Sequence, residues 1–190
     1  CNVTITASKN YGDVTTVAGI PGGLIGITSY RSYVTVGALN ADGSVNEAKA
    51  CYNFGNINQT NDWAYGSAGI IGFVKSNSKK DLMTAESTPN EVRVYGAVNY
   101  GDITTALSNI GGIVGMTDDN ANNVALLEIV GCTNYGDLLA TGGNNVGGIT
   151  GQTPGTVVKI INCVNNGYIE LTNSSPWAVS AAGLVAMFAN

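Results

Sequence analysis

The chain has 190 residues, a net charge of −5, only 11% charged residues and no histidine. Its 44% hydrophobic content excludes a disordered chain, which combines low hydrophobicity with high net charge. Eight basic residues are too few for a clustered phosphate-binding surface, so nucleic acid is excluded as a partner.

The chain opens at Cys1, and Val3 to Ser8 alternate as a short strand. An amino-terminal cysteine suits a lipid anchor, but a strand starting at Val3 leaves no tether, so Cys1 is read as unmodified. The strand runs into a corner, Asn10-Tyr-Gly-Asp-Val14, which recurs as Asn53-Phe-Gly-Asn-Ile57, Asn99-Tyr-Gly-Asp-Ile103, Asn134-Tyr-Gly-Asp-Leu138 and Asn165-Asn-Gly-Tyr-Ile169. A glycine-rich segment follows each corner: Gly22-Gly-Leu-Ile-Gly26, Ala68-Gly-Ile-Ile-Gly72, Gly111-Gly-Ile-Val-Gly115, Gly147-Gly-Ile-Thr-Gly151 and Ala182-Gly-Leu-Val-Ala186. Later corners are preceded by strands at Val92 to Tyr95, Val124 to Val130 and Thr156 to Ile161. Short second strands such as Asp13 to Val17 and Asp102 to Ala106 follow the corner, then a polar bend such as Gly142 to Asn145. Successive corner asparagines, from Asn10 to Asn165, lie 43, 46, 35 and 31 residues apart, which fits a strict cross-section with variable loops. The long inserts are Thr28 to Lys49, whose Val34-Thr-Val36 run predicts extra strand, Lys75 to Asn90, and Asp118 to Asn123. The longest apolar stretch, Ala178 to Ala189, is broken by Ser180 and too short to span a bilayer, so no membrane span is expected.

A repeat that cannot bury its own apolar face must stack on its neighbours. The expected architecture is therefore all-β: a right-handed parallel β-helix of about five coils with three short strands each, the hand following from parallel crossovers. A β-propeller is the alternative, because its blades repeat at a similar length, though with four antiparallel strands each. Residues 1–190 read as a single solenoid domain with repeat cores near 8–27, 51–73, 97–116, 132–152 and 163–187. With no capping helix after the last copy, the segment is expected to belong to a longer protein or to pair end to end with other copies.

The repeated positions carry specific expectations. Gly12, Gly55, Gly101, Gly136 and Gly167 do not vary, and are expected to hold a left-handed corner conformation. Asn10, Asn53, Asn99, Asn134 and Asn165 are expected to stack as an amide ladder about 4.8 Å apart. Val14, Ile57, Ile103, Leu138 and Ile169 form one inward column, and Leu24, Ile70, Ile113, Ile149 and Leu184 another. Ser8, Cys51, Ala97, Cys132 and Cys163 share a slot for small residues, so the cysteines are expected to be free, buried thiols. Tyr11, Phe54, Tyr100 and Tyr135 form an aromatic column that shields the corner or packs against sugar.

The Gly-Gly-Leu-Ile-Gly and Gly-Gly-Ile-Val-Gly cores, each preceded by Asn-x-Gly-x-Val or Asn-x-Gly-x-Ile, resemble the GLUG repeat of bacterial surface and secreted proteins. The likeness extends over five copies, and departs at Ala182 and Ala186 and at the inserts. That family includes adhesin-like proteins and the non-catalytic region of immunoglobulin-A-cleaving metalloproteases. The resemblance implies an extracellular or cell-surface location and a scaffold or adhesive role, with a host glycan or surface protein as partner. It supplies no catalytic residues.

Without histidine, a histidine-based triad and a zinc-protease site are excluded. The remaining catalytic candidates are Asp102 and Asp137, expected on adjacent coils near the roughly 5–5.5 Å carboxyl separation of retaining glycosidases. Turn chemistry repeated because the corner repeats is the simpler explanation of the same aspartates. Asp118, Asp119, Asn120 and Asn122 could supply oxygen ligands to Ca²⁺, without the EF-hand spacing. The expected state is otherwise cofactor-free. Thr15-Thr16 and Thr104-Thr105 hint at a threonine array, but the other copies do not continue it.

Overall fold

A computed structural model describes residues 1–29, 32–60, 65–75, 90–106, 109–118, 126–142, 145–172 and 180–188. Every strand pairs in parallel with the equivalent strand of the next coil, building five sheets. Sheet A contains Asn2–Ile5, Tyr33–Val36, Glu91–Tyr95, Leu126–Val130 and Val157–Ile161. Sheet B contains Lys9–Asn10, Tyr52–Asn53, Val98–Asn99, Thr133–Asn134 and Val164–Asn165. Sheet C contains Val14–Thr16, Ile57–Gln59, Ile103–Thr105, Leu138–Ala140 and Ile169–Leu171. Sheet D contains Gly66–Ala68, Asn109–Gly111, Asn145–Gly147 and Ser180–Ala182. Sheet E contains Ile25–Thr28, Ile71–Val74, Val114–Thr117, Thr150–Gln152 and Val185–Met187. The chain is thus a five-coil parallel β-helix. Stacked parallel pairing replaces the antiparallel meander that propeller blades would require.

Each complete coil carries five strands rather than three. Two of the three expected strands are bent, and each bend interrupts the strand. Between sheets A and B the backbone turns through left-handed residues: Ala7 (φ 50°), Gly96 (62°), Gly131 (61°) and Asn162 (52°). Glycine and asparagine tolerate this conformation, and the sequence places three of them in that column. The second bend is the Gly-Gly pair between sheets D and E. In the first coil, sheet D is reduced to a bridge between Gly22 and Ala68. The Val34-Thr-Val36 run is not extra strand: it is the sheet A strand of the second coil, pairing Val34 with Val3 and Val92. The insertion in that coil instead lies between sheets A and B, where Leu39 and Val45 form an antiparallel bridge and Glu47–Lys49 make a 3₁₀ turn. Among the described residues, no helix is long and apolar enough to cross a membrane.

The apolar interior is divided in two. Val34, Val36, Val92, Val94, Leu127 and Ile129 of sheet A pack with Ile71 and Val114 of sheet E and the adjoining Ile70, Ile113 and Ile149. Ile57, Ile103 and Leu138 of sheet C pack with Ile110 and Val146 of sheet D. Side chains buried this fully contribute roughly 1.5–3 kcal/mol each. Between the two clusters the coil is pinched at a waist, where a sheet B asparagine meets the Gly-Gly bend.

Candidate functional site

The most regular surface is the corner that joins sheets B and C, and its side chains form three columns along the helix axis. The innermost is an asparagine ladder. The side-chain amide of each Asn donates to the carboxamide oxygen of the next: Asn10 to Asn53, Asn53 to Asn99 and Asn99 to Asn134 at 2.8 Å, and Asn134 to Asn165 at 2.7 Å. The second amide proton of each goes to the carbonyl two residues on: 2.8 Å at Gly12, Gly55, Gly101 and Gly136, and 3.0 Å at Gly167. Asn53, Asn99 and Asn134 are fully buried. A buried amide is tolerable only when its groups are hydrogen-bonded, and this geometry uses both protons.

The corner glycines do not hold the expected left-handed conformation; none has positive φ. Their requirement comes from the neighbouring coil. A Cβ on Gly55 would overlap the carbonyl oxygen of Gly12, one on Gly101 that of Gly55, one on Gly136 that of Gly101, and one on Gly167 that of Gly136. The Gly-Gly segment obeys the same logic. A Cβ on Gly23, Gly69, Gly112 or Gly148 would overlap the carboxamide of Asn53, Asn99, Asn134 or Asn165, respectively, one coil further along. The two halves of the repeat therefore recur together because one fills the space that the other leaves.

The second column is carboxylate-rich. Asp13 Oδ1 accepts the backbone N–H of Asn56 (2.8 Å), and Asn56 Oδ1 that of Asp102 (3.0 Å). Asp102 Oδ1 accepts the N–H of Asp137 (2.9 Å), and Asp137 Oδ1 that of Tyr168 (2.8 Å). Each side chain in this position thus engages a backbone donor of the next coil, including the neutral Asn56. Asp102 and Asp137 also line a shallow surface depression of about 220 Å³ with Thr104, Leu139, Tyr168 and Glu170.

The third column is aromatic. Tyr11, Phe54, Tyr100 and Tyr135 stack with ring centroids 5.0, 5.1 and 5.0 Å apart and planes within 5° of parallel. Ring faces inside the column cover one another, so solvent meets mainly edges. Sugar stacking requires an open face. Only the outer faces of Tyr11 and Tyr135 are left by this arrangement, and Asn166 occupies the position after Tyr135.

Cys51, Cys132 and Cys163 are free thiols, the first two buried and the third half-buried, and Cys1 is exposed. Burial, followed by the contact with Cys163, pushes the Cys132 thiol well up. The hydrogen bond with Cys132 brings Cys163 down from 9.0 to about 7. Because the thiolate is the nucleophile, the Cys163 alkylation rate should rise through about pH 7 in the folded protein. Cys132 should react only on unfolding. Peptide mapping after timed iodoacetamide labelling between about pH 5.5 and 9.5 checks this, and a Cys163 profile still centred at the ordinary 9.0 would contradict it.

Of the calcium candidates, Asp118 follows the sheet E strand and donates its backbone N–H to Val74 O at 3.0 Å. Asp119, Asn120 and Asn122 lie outside the described residues. Among the described residues, no group of three or more histidine, cysteine or carboxylate side chains is arranged to hold a metal ion.

Two further networks escaped sequence reasoning. In sheet D, Asn145 donates to Asn109 Oδ1 (2.8 Å) and Ser180 donates to Asn145 Oδ1 (2.6 Å). The second coil has Gly66 in that register, so the sequence shows no repeated residue there. On sheet A, Glu128 lies between Arg93 and Lys159 in register, 3.8 Å from each cation, and accepts the Tyr95 hydroxyl at 2.6 Å. Its signal is charge alternation across coils, readable only once the register is known. Comparison of the chain with protein-family models, with curated proteins and with solved structures finds no match in any of the three.

Proposed function

We propose that this chain is a non-enzymatic scaffold or adhesive β-helix module of a bacterial surface or secreted protein, working in attachment or assembly. The observation that carries this reading is how the repeated residues are used. The asparagines bond to one another, the aspartates bond to the next coil's backbone, and the aromatic faces cover each other. A motif repeated five times to hold coils together needs no ligand to explain it. The low charge and the likeness to GLUG repeats support the extracellular part of the proposal.

A second reading has one observation in its favour: the depression that Asp102 and Asp137 share with Tyr168 and Glu170, which would suit a glycan or its hydrolysis. The assay is release of reducing or unsaturated ends from a panel of polysaccharides by the parent, Asp102→Asn and Asp137→Asn. Asparagine is a mild substitution in this column, because Asn56 already makes the same bond. The scaffold reading expects no release from any of the three. Release by the parent that both variants lose would replace it with an enzyme.

A further inference from the structure

The aromatic column is not uniform: only one of its neighbouring pairs sets tyrosine against tyrosine. Phe54 separates Tyr11 from Tyr100, with ring centroids 5.0 and 5.1 Å away. Tyr100 and Tyr135 face each other directly, at 5.0 Å and with planes 4° apart. The other ring contacts among the described residues, Tyr52 with Phe54 and Tyr65 with Phe73, each include a phenylalanine. Among the described residues, Tyr100 and Tyr135 are therefore the single pair of phenols in ring contact.

Both rings are open to solvent, at 45% and 48% exposure, while their backbone is fixed. The Tyr100 N–H donates to Asn53 O at 2.8 Å and the Tyr135 N–H to Asn99 O at 2.7 Å. A small oxidant can reach the rings from outside, and the paired coils hold them side by side from beneath. Tyr95 offers the contrast: it is buried, and its hydroxyl donates to Glu128.

We propose that Tyr100 and Tyr135 form a site of oxidative modification, where a peroxidase-type one-electron oxidant joins them as dityrosine. Each phenol gives up one electron and its hydroxyl proton, leaving a phenoxyl radical shared with the ring carbons beside the oxygen. Two such radicals form one carbon–carbon bond between those carbons. The hydrogen on each joined carbon then moves to its own oxygen, which restores both phenols. The protein loses two electrons and two protons, and one hydrogen peroxide takes them up to give two waters. Phenylalanine has no hydroxyl hydrogen to lose, so Phe54 breaks the series.

The rings must leave their stack to bond, and exposed side chains change rotamer within picoseconds to nanoseconds. Groups held together on one scaffold react as if at very high concentration, so coupling within the chain outruns coupling between chains. The product is a covalent staple between the third and fourth coils, across 35 residues of sequence. It goes beyond the scaffold reading, which needs no covalent link.

The test treats dilute protein with a haem peroxidase and hydrogen peroxide, at a dose that couples free tyrosine. Dityrosine fluorescence, a denaturing gel and peptide masses after cleavage at aspartate are then read. Asp102 and Asp118 lie between the two tyrosines, so cleavage places them on different peptides. The parent should stay monomeric on the gel and yield one linked pair carrying Tyr100 and Tyr135, two hydrogens lighter than the separate peptides. Tyr100→Phe and Tyr135→Phe should each lose that product, and Tyr11→Phe should keep it. Phe54→Tyr completes the series and should add links from position 54 to Tyr11 or Tyr100. An oxidised parent without the Tyr100 to Tyr135 link overturns the proposal. So do links that form only between chains, or an intrachain product that survives in Tyr100→Phe.

Discussion

Gly136→Ala is expected to be among the most damaging single-methyl changes in the molecule, while Gly12→Ala is expected to be nearly silent. Both glycines occupy the same position of the same repeat. At Gly136 the new methyl group would overlap the Gly101 carbonyl and approach the Asn99 amide to 3.0 Å. The carbonyl is backbone and the amide is fixed by its ladder bonds, so relief requires the two coils to separate and the ladder bond between them to stretch. Overpacking of this kind costs about 3 kcal/mol, the upper part of its usual range. At Gly12 the nearest described atom would be Asn10 Oδ1 at 3.9 Å. Urea denaturation of the two variants checks the contrast. Equal destabilisation would mean that local conformation, not the neighbouring coil, demands glycine.

Asn134→Ala is the second large effect. The parent side chain accepts from Asn99 and donates to Asn165 and to Gly136 O, in full burial. Alanine leaves Asn165 Oδ1 without its donor and opens a void against Gly112. Each buried group left unsatisfied costs about 1–3 kcal/mol. Asn134→Asp, although nearly the same shape, should be no better when ionised, because it sets an acceptor against Asn165 Oδ1 and buries a charge. A denaturation midpoint unchanged in Asn134→Ala would contradict the structural role of the ladder.

The solenoid was legible because two short motifs recur in a fixed order, and repeated burial requirements leave few ways to fold. The inward columns followed from period-two alternation around the corner, and Ile57, Ile103 and Leu138 are all fully buried. What could not be read is what depends on the next coil. Invariant Gly136 looked like a turn residue because turns are the commonest local reason for glycine, whereas its constraint is a carbonyl one coil away. The left-handed column was overlooked because it varies: Ala7, Gly96, Gly131 and Asn162 share a conformation without sharing an identity. The Val34-Thr-Val36 run reads as extra strand because the long segment that follows it hides its register with Val3 and Val92. The candidate site had the same limit. The Asp102 and Asp137 column was visible, but the backbone donors that occupy those carboxylates come from the adjacent coil.

The central claim is that the repeated polar residues hold neighbouring coils together, and a double-mutant cycle on Asn99 and Asn134 tests it most directly. The two are joined at 2.8 Å, whereas Asn53 and Asn165 lie on the second and fifth coils and share no ladder partner. Stabilities of the single and double alanine variants give the coupling for each pair. The ladder predicts that removing Asn99 and Asn134 together costs about 1 kcal/mol less than the sum of the single changes, because the second removal leaves no new orphan between them. The Asn53 and Asn165 pair should add to within about 0.5 kcal/mol. Additivity for both pairs would contradict the ladder and, with it, the view that this motif is a device for stacking coils.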